Sequence, residues 1–228
     1  MIDRSTVTRE RLLDAASELF AEKGFEGARV DRISRRARVN KAMIYYHFRT
    51  KKGLYQAVLL NSFSLLRQTL ERAATREDAA PADRLSGLVH ALAQIASERP
   101  ALPRILVREI LADGRHLSPQ AARALTEMFH PFRATVDEGI SQGAFREADP
   151  LLVQIHLVAS IMLFFASKTF RARLLTTAGA DLKPPDAEKF VFQLDQILIR
   201  GLTSDQAAST SSAARRGAPK SSRKKGKS

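Results

Sequence analysis

The stretch from Val39 to Lys52, VNKAMIYYHFRTKK, decides how the rest of the chain is read. It gathers two tyrosines, a histidine and a phenylalanine in a chain that has only three tyrosines and no tryptophan. At helical spacing Ile44 and Phe48 share one face, and with Val39 they form a stripe able to bury against neighbouring helices. Ala42, Met43 and Tyr46 then point away from that stripe, with Lys41 and Tyr45 on one flank and His47 on the other. Asn40 stands where an N-cap belongs, and Lys41 to Phe48 form the helix body. Most of the aromatic surface therefore faces outward, among cations.

Working upstream, Leu12, Leu13, Ala16, Leu19 and Phe20 make one apolar stripe, which predicts a helix from about Thr8 to Lys23 with Gly24 as its C-cap. A short helix from about Val30 to Ala37 follows, with Val30, Ile33 and Ala37 buried. A long helix, then two short ones joined by a few residues, is the pattern of a helix-turn-helix in a three-helix unit.

Charge supports a polyanionic partner. The net charge is +13, and from Arg29 to Lys52 nine basic residues face a single acid, Asp31. A solvated surface would mix both signs, whereas this density suits nucleic acid. Residues near the start of a recognition helix meet base edges in the major groove. Base contact is therefore assigned to Asn40, Ala42 and Met43, with Tyr46 beside them, and phosphate contact to Arg29, Lys41, Tyr45, His47 and Lys51. Ala42 and Met43 offer only apolar contact, so polar readout must come from neighbours or from DNA shape. The competing account is that Tyr45 and Tyr46 cover a protein interface.

Composition excludes several classes. A 44% hydrophobic chain of 228 residues can bury a sizeable core. The absence of cysteine removes disulfides, thiolate metal sites and cysteine nucleophiles. There is no phosphate-cradling glycine loop, no HExxH, no Gly-x-Ser-x-Gly and no metal spacing among the histidines, so neither an enzyme nor a cofactor is expected. The N-terminus lacks the apolar run of a secretory signal, and the most apolar window, Leu151 to Ala166, falls short of the roughly 20 residues that cross a bilayer. A cytoplasmic protein, on the nucleoid when bound to DNA, is the expectation.

Strand signals are almost absent, so the fold class is all-α. Beyond Lys51 a helix is predicted to about Ala74, then others over Ala82–Glu98, Ala101–Asp113, Pro119–Gln142, Pro150–Leu175 and Pro185–Leu202. The expected division is a DNA-binding domain over 1–52 (helix-turn-helix at about 30–48), a helical domain over 53–202 and a disordered basic tail over 203–228. That tail has seven basic residues and one acid; it either adds sequence-independent DNA affinity or only solubilises the chain. An architectural DNA binder with no effector is the alternative such a tail would suit.

The segment Leu12–Leu59, LLDAASELFAEKGFEGARVDRISRRARVNKAMIYYHFRTKKGLYQAVL, closely resembles the N-terminal domain of the TetR (tetracycline repressor) family of bacterial transcriptional regulators. The telling pieces are AAxxLFAEKGF, the Val and Ile of the second helix, and KAMIYYHFRTKKGLY. The resemblance implies a homodimer, a palindromic operator on double-stranded DNA, and a C-terminal ligand-binding and dimerisation domain whose effector releases DNA. It also implies phosphate contacts from Tyr45, His47 and Lys51 and base contacts around Lys41 to Met43. Two positions depart from the family pattern: Arg38 occupies a turn position that usually holds glycine, and Arg29 replaces a capping Ser or Thr.

In the second domain, Leu152, Ile155, Ala159, Met162 and Ala166 form one stripe, and Phe190, Leu194, Ile197 and Leu198 another. These are either intramolecular core or, as the resemblance implies, a four-helix dimer interface. An effector pocket is expected among the helices between Ala82 and Leu175, with His90, Met128, Phe129, Phe132, His156, Phe164 and Phe165 as candidates; ordinary core packing explains each of them equally well. Their character suits an apolar or aromatic effector. Arg104, Arg108 and Glu109 are read as a surface pairing along one helix, the alternative being contact with an anionic ligand.

Overall fold

The computed structural model describes residues 4–75, 79–179 and 183–203. Among these are eleven helices: α1 (Arg4–Gly27), α2 (Val30–Ala37), α3 (Ala42–Phe48), α4 (Lys51–Ala74), α5 (Pro81–Glu98), α6 (Ala101–Leu111), α7 (Pro119–Glu127), α8 (His130–Ser141), α9 (Pro150–Ala166), α10 (Lys168–Thr177) and α11 (Ala187–Leu202). The all-α expectation holds; apart from helices there is one isolated bridge, between Phe145 and Thr203.

The first three helices close around Leu12, Ala16, Leu19, Phe20, Ile33, Ala37, Ile44 and Phe48, all buried. Gly24 breaks α1 at φ 72°, as its place after the apolar stripe predicts, and the last turn carries Phe25 onward. After α2 the chain turns through Arg38 in the left-handed region, φ 55° and ψ 45°. There Arg38 N–H donates to Arg35 O and Val39 N–H to Ser34 O, each at 3.1 Å, the paired bonds of a Schellman stop. A non-glycine residue at this position costs on the order of 1–2 kcal/mol. Asn40 then starts α3, its Oδ1 accepting from Ala42 N–H at 2.8 Å.

The join between α3 and α4 is tighter still. Arg49 has φ 63° and ψ −43°, and Thr50 N–H donates to Phe48 O at 2.7 Å, which makes Phe48–Thr50 a γ-turn with positive φ, a rare and strained form. Thr50 Oγ1 caps α4 by accepting from Gly53 N–H at 2.9 Å. A Cβ on Gly53 would lie 2.2 Å from Phe48 O, so only glycine lets the two helices meet this closely.

From there α4 runs into the body of the protein with Leu54, Tyr55, Val58, Leu59, Phe63, Leu66 and Leu70 buried. It packs on α1, α3, α5 and α7, while α6 packs on α1 and α9. Two predicted helices are each divided. The span expected as one helix over Pro119–Gln142 is α7 and α8: the first ladder ends at Met128 N–H, bonded to Ala124 O, and Pro131, with no N–H to donate, stands in the first turn of α8. The span expected over Pro150–Leu175 is α9 and α10, bent by 59° at Ser167. There Ser167 Oγ donates to Leu163 O, sharing it with the Ser167 N–H, and Arg171 Nη1 donates to Ser167 Oγ and to Phe164 O, a carbonyl the next turn of a straight helix would use. No single helix among the described residues is long and apolar enough to cross a membrane. The basic tail expected over 203–228 lies outside the described residues, save Thr203.

The two apolar stripes also need correction. Met162 is buried within the chain's own fold, and Phe190, Leu194 and Leu198 are half-buried against its core. Phe190 stacks on Phe164 at 3.8 Å, which makes that contact intramolecular. Leu152, Ile155 and Ala159 on α9 and Ile197 on α11 remain exposed, and Leu163, Phe170, Leu174 and Phe192 join them.

Candidate nucleic-acid interface and the cavity behind it

On α3 the outward face is the one expected from spacing. Tyr46 is 74% and Tyr45 47% exposed, and Ala42 is exposed between Lys41 and Tyr45. Arg29, Asn40 and Lys41 are exposed as well, so most of the assigned residues share one surface. Several are less free than the sequence suggests. Met43 is half-buried and packs on the core edge, because the first turn of α3 leans on its neighbours. Asn40 has its Oδ1 committed to capping, which leaves its amide NH₂ as the group available to a base edge. His47 is half-buried beside Tyr46, with Nε2 buried and without a partner.

The cations divide in the same way. Lys41 Nζ lies 2.7 Å from Asp31 Oδ1; that hydrogen bond and charge hold the Asp31 carboxyl below its usual range and raise Lys41. Arg36 faces away, pairing with Glu22 at 2.9 Å and Glu18 at 3.5 Å on α1. Lys51 Nζ donates to Glu26 O at 3.2 Å and stands 4.6 Å above the Phe25 ring. Asp31→Asn should therefore free Lys41 without disturbing the fold. The expected result is severalfold tighter binding to any duplex at low salt and a salt dependence steeper by about 0.9 in log-log slope. An unchanged slope would mean that Lys41 already leaves Asp31 when DNA binds.

Behind the three-helix unit, α4 and α6 carry a polar cluster inside an apolar interior. Tyr55 on α4 donates its hydroxyl to Glu109 Oε1 on α6 at 2.6 Å, and His116 Nδ1 lies 2.9 Å from the same oxygen. Burial first, and the Glu109 contact second, push the Tyr55 phenol well above its ordinary range, so it remains a donor. The Tyr55 and His116 rings both pack on Phe25, at the end of α1. Next along α4, Gln56 Nε2 donates to His116 O and its Oε1 accepts from Ser118 N–H at 3.0 Å. Arg108 reaches the other way: Nε donates to Ala21 O at 3.1 Å and Nη2 to Glu22 O at 3.0 Å, satisfying carbonyls at the C-terminal end of the main α1 helix. The expected surface pairing of Arg104, Arg108 and Glu109 is thus not what forms. One legible signal for Glu109 existed, since it continues the stripe of Leu102, Ile105 and Leu106, an acid on an apolar face.

That cluster borders a cavity of about 540 Å³ between α6, α7, α8 and α9, within the range of about 300–1,000 Å³ usual for small-molecule sites. Its wall includes Leu106, Glu109, Leu125, Phe129, Gln154 and Met162. Of the seven sequence candidates Phe129 lines it. Met128 and Phe132 are buried elsewhere in the core, Phe164 is stacked against Phe190, and His156 is exposed with Nδ1 2.7 Å from Leu152 O. His90 and Phe165 line a separate groove against α11. A further cavity of about 460 Å³, between α1, α4, α5 and α6, is bordered by the charged residues Asp14, Glu18, Glu22, Glu98, Arg99 and Arg104. Among the described residues no group of histidines and carboxylates is placed to hold a metal ion.

Residues 12–58 match the profile of bacterial regulatory proteins of the tetR family, and residues 81–194 match that of tetracyclin repressor-like C-terminal domains. The chain is 32% identical over 200 residues to the HTH-type transcriptional repressor NicS of Pseudomonas putida, covering 86% of this chain and 92% of that one. It is 27% identical over 195 residues to the regulator RutR of Escherichia coli, covering 85% and 90%. Among solved structures, the regulator PfmR from Thermus thermophilus superposes with a TM-score of 0.67 at 24% identity, covering 86% and 97%. The ketosteroid regulator KstR2 of Mycobacterium tuberculosis also gives 0.67, at 21% identity, covering 90% and 97%. With both of its halves matched and the helix-turn-helix presenting its aromatic, cationic face outward, the chain belongs to the TetR family and is a DNA-binding transcriptional regulator.

Proposed function

We propose that the protein is a cytoplasmic, dimeric repressor of a palindromic operator, released when a small apolar or aromatic effector enters the cavity between α6 and α9. The observation that carries this reading is α6, which lines the cavity and packs on α1 of the DNA-binding unit. Through Arg108 and Glu109, α6 holds α1 and α4, and α4 begins at the strained turn that ends α3. A ligand that moves α6 therefore moves the two recognition helices relative to each other, out of register with half-sites roughly 34 to 36 Å apart. By linkage, DNA weakens effector binding by the same factor that the effector weakens DNA binding. The exposed apolar residues of α9, α10 and α11 are the surface proposed to pair with a second copy.

In this reading Tyr45 and Lys51 hold phosphates, and Asn40, Ala42, Tyr46 and the exposed part of Met43 meet bases. Tyr45→Phe removes one hydrogen bond to a charged oxygen. It should weaken binding to all sequences by about tenfold with the salt slope unchanged. Met43→Ala should instead alter sequence preference. Selection of bound duplexes from a random library, with the full chain and with a truncation ending at Leu202, tests the whole proposal. One palindrome enriched by both proteins is the expected result. Enrichment of nothing, with binding lost in the truncation, would leave the tail as the DNA-binding element and an architectural role in its place.

A further inference from the structure

The wall of the cavity between α6 and α9 is largely aliphatic and aromatic, yet two of the side chains that line it carry a hydrogen-bond acceptor without a protein donor. Glu109 is only 4% exposed. Its Oε1 is fully used by Tyr55 and His116, while Oε2 is buried and without a protein partner. On α9, Gln154 lines the same cavity, and its Oε1 is likewise buried and unpartnered. Buried polar atoms are nearly always satisfied, and leaving a carboxylate oxygen dry and unpaired is among the costlier exceptions. Both atoms belong to side chains that line one cavity, which makes it the place where a bound molecule can complete the hydrogen bonding.

The sign of that molecule follows from Glu109. A carboxylate only accepts, whereas the Gln154 amide can turn to present either atom, so Glu109 sets the requirement and Gln154 follows it. Asp113 at the exposed rim adds a second carboxylate to the wall. Arg133, on the α8 side, is the opposing charge; its Nη2 donates to Thr126 O at 3.2 Å, which takes up part of its donor capacity. Between these groups Leu106, Leu125, Phe129 and Met162 offer only apolar contact.

We infer that the effector is a compound with an apolar or aromatic body and a donor-bearing head, an amine, amidine or N–H heterocycle, whose N–H groups bond to Glu109 Oε2 and Gln154 Oε1. This rests on the reading of the cavity as the effector site, and it narrows that reading from any apolar molecule to one carrying donors. A hydrogen bond to a carboxylate separates molecules with and without the donor by roughly ten- to a hundred-fold.

The test uses three probes of similar size on the full chain, titrated by calorimetry: benzamidinium with two N–H edges, benzoate with acceptors only, and toluene with neither. Benzamidinium should bind at least tenfold more tightly than either of the others. Glu109→Gln turns an N–H toward the cavity and should remove that preference or reverse it toward benzoate, with Gln154→Met, which leaves Glu109 and its partners in place, giving a smaller loss in the same direction. Leu125→Trp, which fills the cavity from α7 and lies off the face proposed to pair with a second copy, should abolish binding of every probe. Benzoate or toluene binding as well as benzamidinium, or benzamidinium affinity indifferent to both substitutions, would overturn the donor requirement while leaving the cavity as the effector site. Binding of no probe, or binding untouched by Leu125→Trp, would overturn both.

Discussion

Gly53→Ala should cost the protein its operator binding. The added methyl would stand 2.2 Å from Phe48 O, a backbone oxygen fixed by its bond to Thr50 N–H and without the freedom of a side-chain end. Relief requires α3 to move away from α4, which displaces Tyr45, Tyr46 and Lys41 from a common surface. Overpacking of this kind costs about 3 kcal/mol where the neighbour cannot yield, equivalent to a loss on the order of a hundred-fold in operator affinity if the strain is relieved by moving the recognition helix. The matched control is Gly87→Ala in α5, whose Cβ would meet only Ala73 O at an ordinary 3.8 Å. It should stabilise the protein by about 0.5–1 kcal/mol through helix propensity. Duplex binding and a thermal melt on both variants decide the matter. A Gly53→Ala protein that binds and melts like its parent would show that the close approach of α3 and α4 is not what orients the recognition helix.

What the sequence made legible was local. The burial of Ile33, Ala37, Ile44 and Phe48, the outward Tyr45 and Tyr46 and the cap by Asn40 all depend on spacings of a few residues, and periodicity reports those directly, whereas the unusual Arg38 is marked only by the family resemblance. Pro131 is also a local mark of a helix boundary, although the apolar spacing on either side of it continues. The break at Ser167 had no such mark: no proline or glycine stands there, and it is held by a serine hydroxyl and an arginine reaching back to carbonyls. Least legible was the link between the domains. Arg108 finds its partners at Ala21 and Glu22, and Glu109 finds Tyr55, so a reading along one helix sees charged neighbours and assigns them to each other. For the same reason composition alone puts His90, His156 and Phe164 in one pocket, where the packing divides them among separate environments. The α9 stripe lost Met162 to the core because a helix wedged between α6 and α8 buries more than one face.

The contact between Tyr55 and Glu109 makes the second large prediction, because its two partners are worth more together than either is apart. Tyr55→Phe keeps the ring against Phe20 and Phe25 and removes only the hydroxyl. Glu109 is then left buried with His116 on Oε1 and nothing on Oε2, which should cost about 2 kcal/mol and lower the melting temperature by about 4–8 °C for a chain of this size. Glu109→Met alone strands the Tyr55 hydroxyl in the same interior and should cost a similar amount. Combining the two replaces both polar partners with apolar ones, so the double variant should be less destabilised than the sum of the singles, by about 1–2 kcal/mol in a double-mutant cycle. Alkaline pH supplies an independent reading. The Tyr55 phenol titrates higher in the folded chain than in the unfolded one, so its contribution is complete below the unfolded value of about 10 and is lost as pH rises beyond it. The parent should therefore lose stability above about pH 10 more steeply than Tyr55→Phe does. Additive single costs together with parallel alkaline slopes would mean that the hydroxyl does not bind the carboxylate. The path from the cavity to α4 would then lose its central bond, leaving Arg108 and Gln56 to connect the cavity side with α1 and α4.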